Sequence, residues 1–148
     1  MNRAFPLQSL LDLSQLRLDE AGRKLGELIA GEQRASQRHS VLVHYREEYR
    51  TRFALAAKHG LSPGEWQNYT SFLARLDEAI QQADSAMTHT KRQTVAGQQE
   101  WVNKRGRVKA FDTLSDRHQS RVAYQDQRQE QKASDEHGAR RHEEKGKD

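Results

Sequence analysis

Cysteine is absent from this chain of 148 residues, only two prolines interrupt it, and its hydrophobic content is only 34%. The lack of cysteine excludes disulfides, thiolate nucleophiles and cysteine-ligated metals, and it is compatible with a reducing compartment. A compact globule usually contains about 45–50% apolar residues. The apolar content is therefore too low for a layered core, but it is sufficient to line a narrow seam between two helices.

Long hydrophobic runs are missing as well. No apolar run approaches the roughly 20 residues that cross a bilayer. The first twenty residues, MNRAFPLQSLLDLSQLRLDE, also lack the apolar core of a signal peptide. We therefore expect a cytoplasmic protein that does not insert into a membrane and reaches one only through a partner.

Residues that end and begin helices are concentrated in the stretch KHGLSPGEWQNY, residues 58–69. Gly60 suits the left-handed position that ends a helix. Ser62 and Glu65 form an S-x-x-E capping box that begins one, and Pro63 fits the first helical position between them. The stretch therefore predicts that one helix stops and a second one starts within a few residues.

Apolar residues recur in both arms at alternating steps of four and three residues. In the first arm this repeat runs from Leu7 to Ala56, and in the second it runs from Trp66 to Val122; these positions are called the seam below. An average spacing of 3.5 over many heptads is typical of a coiled coil. The polar seam residues Glu32, His39 and Arg46 predict a local shift in register. The predicted fold class is all-α, a long two-helix antiparallel coiled coil (helical hairpin).

The seam weakens along the second arm. Gly97 and Gly106 each cost about 1 kcal/mol relative to alanine in a helix interior. After Tyr124 alanine is the only apolar residue type, so burial cannot offset the entropy cost of ordering the last part. We expect a single hairpin domain, 1–148, with helix 1 at about 5–58, a turn at 59–62, helix 2 at about 63–130 and a frayed or disordered tail at 131–148.

No motif predicts catalysis or a cofactor. None of the seven histidines forms a His-Glu-x-x-His pair, and the chain contains no G-x-x-x-x-G-K-[ST] phosphate loop. His137, His142, Glu143 and Glu144 could chelate a metal weakly, although a solvated charged tail is the favoured interpretation. Two paired helices also offer no enclosed pocket in which carboxylates could acquire different pKa values. The sequence therefore predicts a non-enzymatic protein without a metal or other cofactor.

The basic character of the chain is modest. The net charge is +4 and the sequence pI is about 9.5. Acids are interleaved with bases almost everywhere, and basic clusters such as NKRGRVK are short. A nucleic-acid-binding protein should show a stripe of one sign or a known module. Interleaved charge is more typical of a solvated helix face, so no nucleic-acid partner is expected.

Two apolar groups beside the turn widen the apolar face of each arm. The first arm carries Leu42, Tyr45 and Tyr49 at i, i+3 and i+7. The second arm carries an apolar stripe that is offset from the line of Tyr69, Leu73 and Ile80. This stripe consists of Phe72, Leu76, Ala79 and Ala83. These residues either thicken the seam near the turn or form an exposed patch for a partner, since contiguous exposed aromatics usually mark an interface.

Three stretches of the sequence closely resemble the FliJ family, and the resemblance covers nearly the whole chain. They are LDLSQLRLDEAGRKLGEL at residues 11–28, LVHYREEYRTRF at residues 42–53, and the run from Trp66-Gln67-Asn68-Tyr69 to Leu76 after the turn. Members of this family are small soluble components of the bacterial flagellar type III export apparatus. The resemblance implies a coiled coil similar to the central shaft subunit of rotary ATPases.

The resemblance also implies partners. The end bearing the termini would enter the flagellar export ATPase hexamer, and the region towards the turn would bind the cytoplasmic domain of the export gate membrane protein. Free export chaperones would be further partners, and the protein would lie at the inner face of the membrane at the flagellar base. By position, the gate-binding surface would be Leu42, Tyr45, Tyr49, Phe72, Leu76 and Ala79. The alternative is a generic coiled-coil scaffold or dimerisation module without ATPase coupling.

Overall fold

Two α-helices make up almost all of the chain. The computed structural model describes residues 4–146, in which α1 spans Gln8–His59 (52 residues) and α2 spans Pro63–Gly146 (84 residues). No strand occurs between residues 4 and 146. The all-α helical hairpin that the 3.5-residue spacing predicted is therefore confirmed.

The turn between the helices has the chemistry that its sequence predicted. Gly60 adopts a φ of 90°, in the left-handed region that favours glycine, and its N–H donates to the carbonyl of Ala57 at 3.2 Å. The hydroxyl oxygen of Ser62 accepts a hydrogen bond from the N–H of Glu65 at 3.1 Å. This bond satisfies one of the amide groups that the first turn of α2 leaves without a helical partner.

Contacts between residues group the chain into two compact units. One unit combines residues Met1–Leu18 with Asn103–Asp148, and the other contains residues Asp19–Val102. Each unit pairs a segment of α1 with an antiparallel segment of α2. Since both helices contribute to both units, the division does not fall at a linker, and the single domain remains a prediction.

Burial follows the seam closely. In α1 each seam position described as helical is buried or half-buried, and in α2 only Trp66 departs from this pattern, with 51% of its surface exposed. The buried hydroxyl of Ser14 donates to the carbonyl of Leu11 at 2.8 Å, and that of Thr94 donates to Thr90 at 3.0 Å. Small polar residues are therefore tolerated in the seam because their hydroxyls bond to the helix itself.

The predicted shift in register at the polar seam residues is wrong. Glu32, His39 and Arg46 all keep half-buried seam positions at the same spacing. Nε of Arg46 lies 2.5 Å from Oδ1 of Asp77, an ion-pair contact without the alignment of a hydrogen bond, and Nε2 of His39 lies 3.9 Å from Oδ1 of Asp84. Half-burial lets the side chains of Arg46 and His39 cover the seam with their carbon atoms while their nitrogen atoms reach an acid on α2.

The ends of the helices differ from the predicted ones. α1 begins at Gln8 rather than near residue 5, because residues 5–7 form a turn in which the N–H of Gln8 donates to the carbonyl of Phe5 at 3.1 Å. α2 does not end near residue 130 but continues to Gly146, although every side chain from 127 to 146 is exposed. Alanine, glutamate, glutamine, lysine and arginine favour helix by themselves, so this segment can be helical without burial. Fraying of the tail in solution remains a prediction, and its last two residues lie outside the described ones.

No helix among residues 4–146 combines the length and the apolar character that a membrane crossing requires.

Candidate functional site

Six aromatic side chains from both arms form a continuous series of ring contacts next to the turn. The ring centroids are 6.2 Å apart between Tyr45 and Phe72, 4.4 Å between Phe72 and Tyr49, and 5.4 Å between Tyr49 and Tyr69. The series continues from Tyr69 to Phe53 at 5.2 Å and from Phe53 to Trp66 at 5.0 Å. We call these six residues the aromatic ladder: Tyr45, Tyr49, Phe53, Trp66, Tyr69 and Phe72.

The two ends of the aromatic ladder are exposed, whereas its four inner rings are half-buried. Tyr45 exposes 42% of its surface and Trp66 exposes 51%. Each tilted or edge-to-face ring pair contributes roughly 0.5–1.5 kcal/mol beyond its burial. The inner rings therefore hold the arms together near the turn, and the outer rings offer aromatic surface to a partner.

The exposed apolar surface around Tyr45 is larger than the sequence indicated. Val41 lies one helical turn before Tyr45 and is 60% exposed. Together with Ser40, these residues line a shallow depression bordered by His44 and Glu48, whose side chains lie 3.2 Å apart. Val41 falls outside the seam and outside the predicted patch. The sequence signal that could have identified it is an apolar residue four positions before Tyr45, on the same side of the helix.

The structure places three of the six predicted partner-binding residues in ring contact with one another. Tyr45, Tyr49 and Phe72 share ring contacts, and Leu42 and Ala79 are half-buried. Leu76 is only 7% exposed, so its side chain packs between the arms rather than facing outwards. A role of these six residues in binding the export gate remains a prediction.

An ion pair fixes the pairing of the arms beside the aromatic ladder. Arg46 on α1 contacts Asp77 on α2, and the residues that precede them, Tyr45 and Leu76, belong to the predicted surface. Because this pair forms in only one alignment of the arms, it helps to hold Tyr45 against Phe72.

Within residues 4–146 no three His, Asp or Glu side chains converge as potential metal ligands, and His137 and His142 are exposed on α2. What the arrangement offers is a partly exposed aromatic surface on a paired-helix support. Such a surface is suited to binding another protein.

Comparison with known proteins identifies a family. The sequence model of the family described as "Flagellar FliJ protein" matches residues 3–147. The flagellar FliJ protein of Salmonella typhi is 31% identical over 134 residues, which cover 90% of this chain and 91% of the relative. The flagellar FliJ protein of Escherichia coli (strain K12) is 29% identical over 134 residues with the same coverage. The chain therefore belongs to the flagellar FliJ protein family.

Proposed function

We propose that the chain is a non-enzymatic component of the bacterial flagellar protein export apparatus, where it links an export ATPase to the membrane export gate. Membership of the flagellar FliJ protein family supports the flagellar role. In this proposal the protein works in the cytoplasm and is held at the inner face of the membrane, at the flagellar base, by its partners. Its contribution to flagellum assembly and motility is then mechanical and not catalytic.

The observation that carries the proposal is the exposed end of the aromatic ladder. Tyr45 is anchored against Phe72 and yet exposes 42% of its surface beside the exposed Val41. A ring that is held in place loses little conformational entropy on binding, which is why such tyrosines often dominate interfaces. This surface is the one that we assign to the cytoplasmic domain of the export gate protein.

Two further parts of the proposal rest on the family resemblance alone. The end that bears the termini inserts into the export ATPase hexamer, as a shaft does in rotary ATPases. Free export chaperones bind the same protein, so that empty chaperones can be reused.

A coiled-coil scaffold without ATPase coupling is the second candidate function. It is favoured by the burial of Leu76 at 7% exposure and by the half-buried state of the four inner rings of the aromatic ladder. In that case the aromatic residues serve the seam, and Tyr45 only covers its edge.

Replacing Tyr45 by alanine separates the two candidates. We expect Tyr45→Ala to weaken binding to the gate cytoplasmic domain by about ten-fold or more, as aromatic anchors usually do, with little loss of thermal stability. Tyr124→Ala is the matched control, because Tyr124 is also exposed, at 61%, and is absent from the aromatic ladder. Binding is measured by calorimetric titration and stability by circular dichroism melts.

Leu25→Ala provides the opposite control, since Leu25 is a half-buried seam residue that approaches Gly97. It should lower stability by about 2–5 kcal/mol while the folded fraction keeps its gate affinity. Phe72→Ala should affect both quantities, because its ring packs 4.4 Å from that of Tyr49. If Tyr45→Ala destabilises the protein as Leu25→Ala does and gate affinity is unchanged, the scaffold function is the correct one.

A further inference from the structure

A cleft with an apolar floor and a cationic border lies in the unit formed by residues 1–18 and 103–148. Its floor consists of Leu10 and Leu13 from α1 and Phe111 from α2, and its border consists of Arg17, Lys104 and Arg107. We call these six residues the basic cleft. Leu10 is 47% exposed and Leu13 is 42% exposed, so nearly half of the surface of each leucine meets water in the free chain.

The polar group inside the basic cleft is already satisfied. Ser14, which also lines it, is 7% exposed and donates its hydroxyl to the carbonyl of Leu11 at 2.8 Å. The floor therefore presents carbon atoms and no free hydrogen-bonding group. A polar small molecule would find little to bind there, whereas apolar side chains would bury the exposed leucines.

The charged side chains that line the basic cleft have one sign. The lining contains three cations and no acid, and Asp12 lies on the same segment of α1. Asp12 does not line the cleft, and its Oδ1 accepts a hydrogen bond from Nε2 of Gln8 at 3.0 Å. A partner that covers the leucines must therefore place the residues around its apolar surface beside three cations. Acidic residues at these positions favour binding, and basic residues oppose it.

We propose that the basic cleft binds an amphipathic helix of a partner protein whose polar edges are acidic. A groove between two paired helices accepts a third helix along its length, with apolar residues of that helix at i, i+3, i+4 and i+7 over the floor. Glutamates or aspartates beside that apolar stripe then pair with Arg17, Lys104 and Arg107. Arginine is well suited to this task because its guanidinium binds a carboxylate with two hydrogen bonds.

A second copy of this chain fits the basic cleft less well. A symmetric dimer places the same surface on both sides of the interface, which would bring the cations of one copy close to those of the other. The inference does not depend on the export role proposed above, because its test contains neither the export ATPase nor the gate protein.

The test uses the full-length chain and a designed fluorescent peptide of about 18 residues, or five helical turns. The peptide carries leucines at i, i+3, i+4 and i+7 and glutamates on both flanks, and its binding is followed by fluorescence anisotropy. One control peptide has the same composition in scrambled order, and another has lysine in place of glutamate. We expect the acidic amphipathic peptide to bind at least about ten-fold more tightly than either control, with an affinity that falls as salt rises.

Matched variants locate the binding to the basic cleft. Arg107→Glu and Leu13→Asn should each weaken the acidic peptide by about ten-fold or more. Lys109→Glu and Leu16→Asn make the same chemical changes at exposed positions of the same helices outside the cleft, and they should change the affinity by less than about two-fold. Arg107→Glu should also bind the lysine peptide better than the original chain does, and circular dichroism should show unchanged helix content.

Several results would overturn the proposal. If the scrambled peptide bound as tightly as the acidic amphipathic peptide, the cleft would be an unspecific cationic patch. The same conclusion would follow if Lys109→Glu weakened binding as much as Arg107→Glu does. Binding of the acidic peptide weaker than a Kd of about 1 mM, a level near which little specific affinity remains, would show that the cleft does not select this chemistry. If light scattering shows a dimer that Leu13→Asn dissociates, the occupant is a second copy of the chain.

Discussion

At the scale of single residues, Gly97 allows α2 to lie directly against α1. A Cβ atom built on Gly97 would come within 2.6 Å of Cδ1 of Leu28 and 3.6 Å of Cδ1 of Leu25. One turn away, Oγ1 of Thr94 lies 3.4 Å from the carbonyl of Leu28. The sequence presents Gly97 as a weak point of the seam, whereas in the structure the absence of a side chain makes room for Leu28.

Alanine substitutions at two glycines of α2 test this difference. Nothing lies within 4 Å of a Cβ atom at Gly106, so Gly106→Ala should stabilise the chain by about 0.5–1 kcal/mol through helix propensity. At Gly97 the same gain is opposed by the displacement of Leu28 from its position in the seam. Gly97→Ala should therefore show no comparable rise in the free energy of unfolding, as measured by urea denaturation. An equal gain at both positions would contradict the close packing at Gly97.

The seam residues could be predicted individually, but their partners could not. A 3.5-residue repeat identifies the side of each helix that is buried, which is why Ala21, Leu76, Ala83 and Val108 are all seam positions with at most 7% exposure. The repeat does not say which residue lies opposite. The contact of Arg46 with Asp77 depends on how the two arms are aligned after the turn. The 3.5-residue repeat of each arm does not contain this alignment.

At the scale of elements, α2 changes character along its length. Seam residues from Tyr69 to Val122 are buried or half-buried, whereas all residues from 127 to 146 are exposed. Composition predicted that this last segment buries too little apolar surface to offset the entropy cost of ordering it, and its fraying in solution remains a prediction. It did not predict the helix to Gly146, because the backbone hydrogen bonds of a helix can continue from a packed segment into an unpacked one without a new nucleation step.

Hydrogen exchange should show this change along α2. Amide protons in residues 131–146 have only local hydrogen bonds to protect them, so they should exchange much faster than those in residues 104–122. Removing residues 131–148 should leave the melting temperature almost unchanged, since no buried apolar area is lost. Mass spectrometry after deuterium labelling and circular dichroism melts provide the two measurements. Slow exchange throughout the last segment would show that it packs against something, for example another copy of the chain.

At the scale of the whole molecule, the unit of residues 19–102 contains the elements needed for independent folding. It includes the capped turn, the aromatic ladder, the ion pair of Arg46 with Asp77 and the contact of His39 with Asp84. Its arms are joined at the turn by a very short loop, so the entropy cost of bringing them together is small.

We expect a chain shortened to residues 19–102 to remain highly helical and to unfold cooperatively. A peptide of equal length, Pro63–Gly146, contains α2 without its partner arm and is the matched control. It should lose its helix gradually on heating, because an unpaired seam buries little apolar surface. Circular dichroism melts at several concentrations would make the comparison. A gradual transition for residues 19–102 would mean that this unit depends on the rest of the chain.

The turn affects whether two copies of the chain can exchange arms and form an intertwined dimer. Contacts such as that of Arg46 with Asp77 join α1 to α2, and they would form equally well if two chains exchanged their arms. For two chains to exchange arms, the turn of each chain would have to straighten so that α1 and α2 form one continuous helix. Gly60 would then leave its φ of 90°, and Pro63 would lie inside a helix, which costs about 3 kcal/mol or more. In addition, the tether keeps the two arms of one chain at an effective concentration in the millimolar range. The turn from Gly60 to Pro63 therefore disfavours intertwined dimers, and a chain with alanine at both Gly60 and Pro63 should form them more readily.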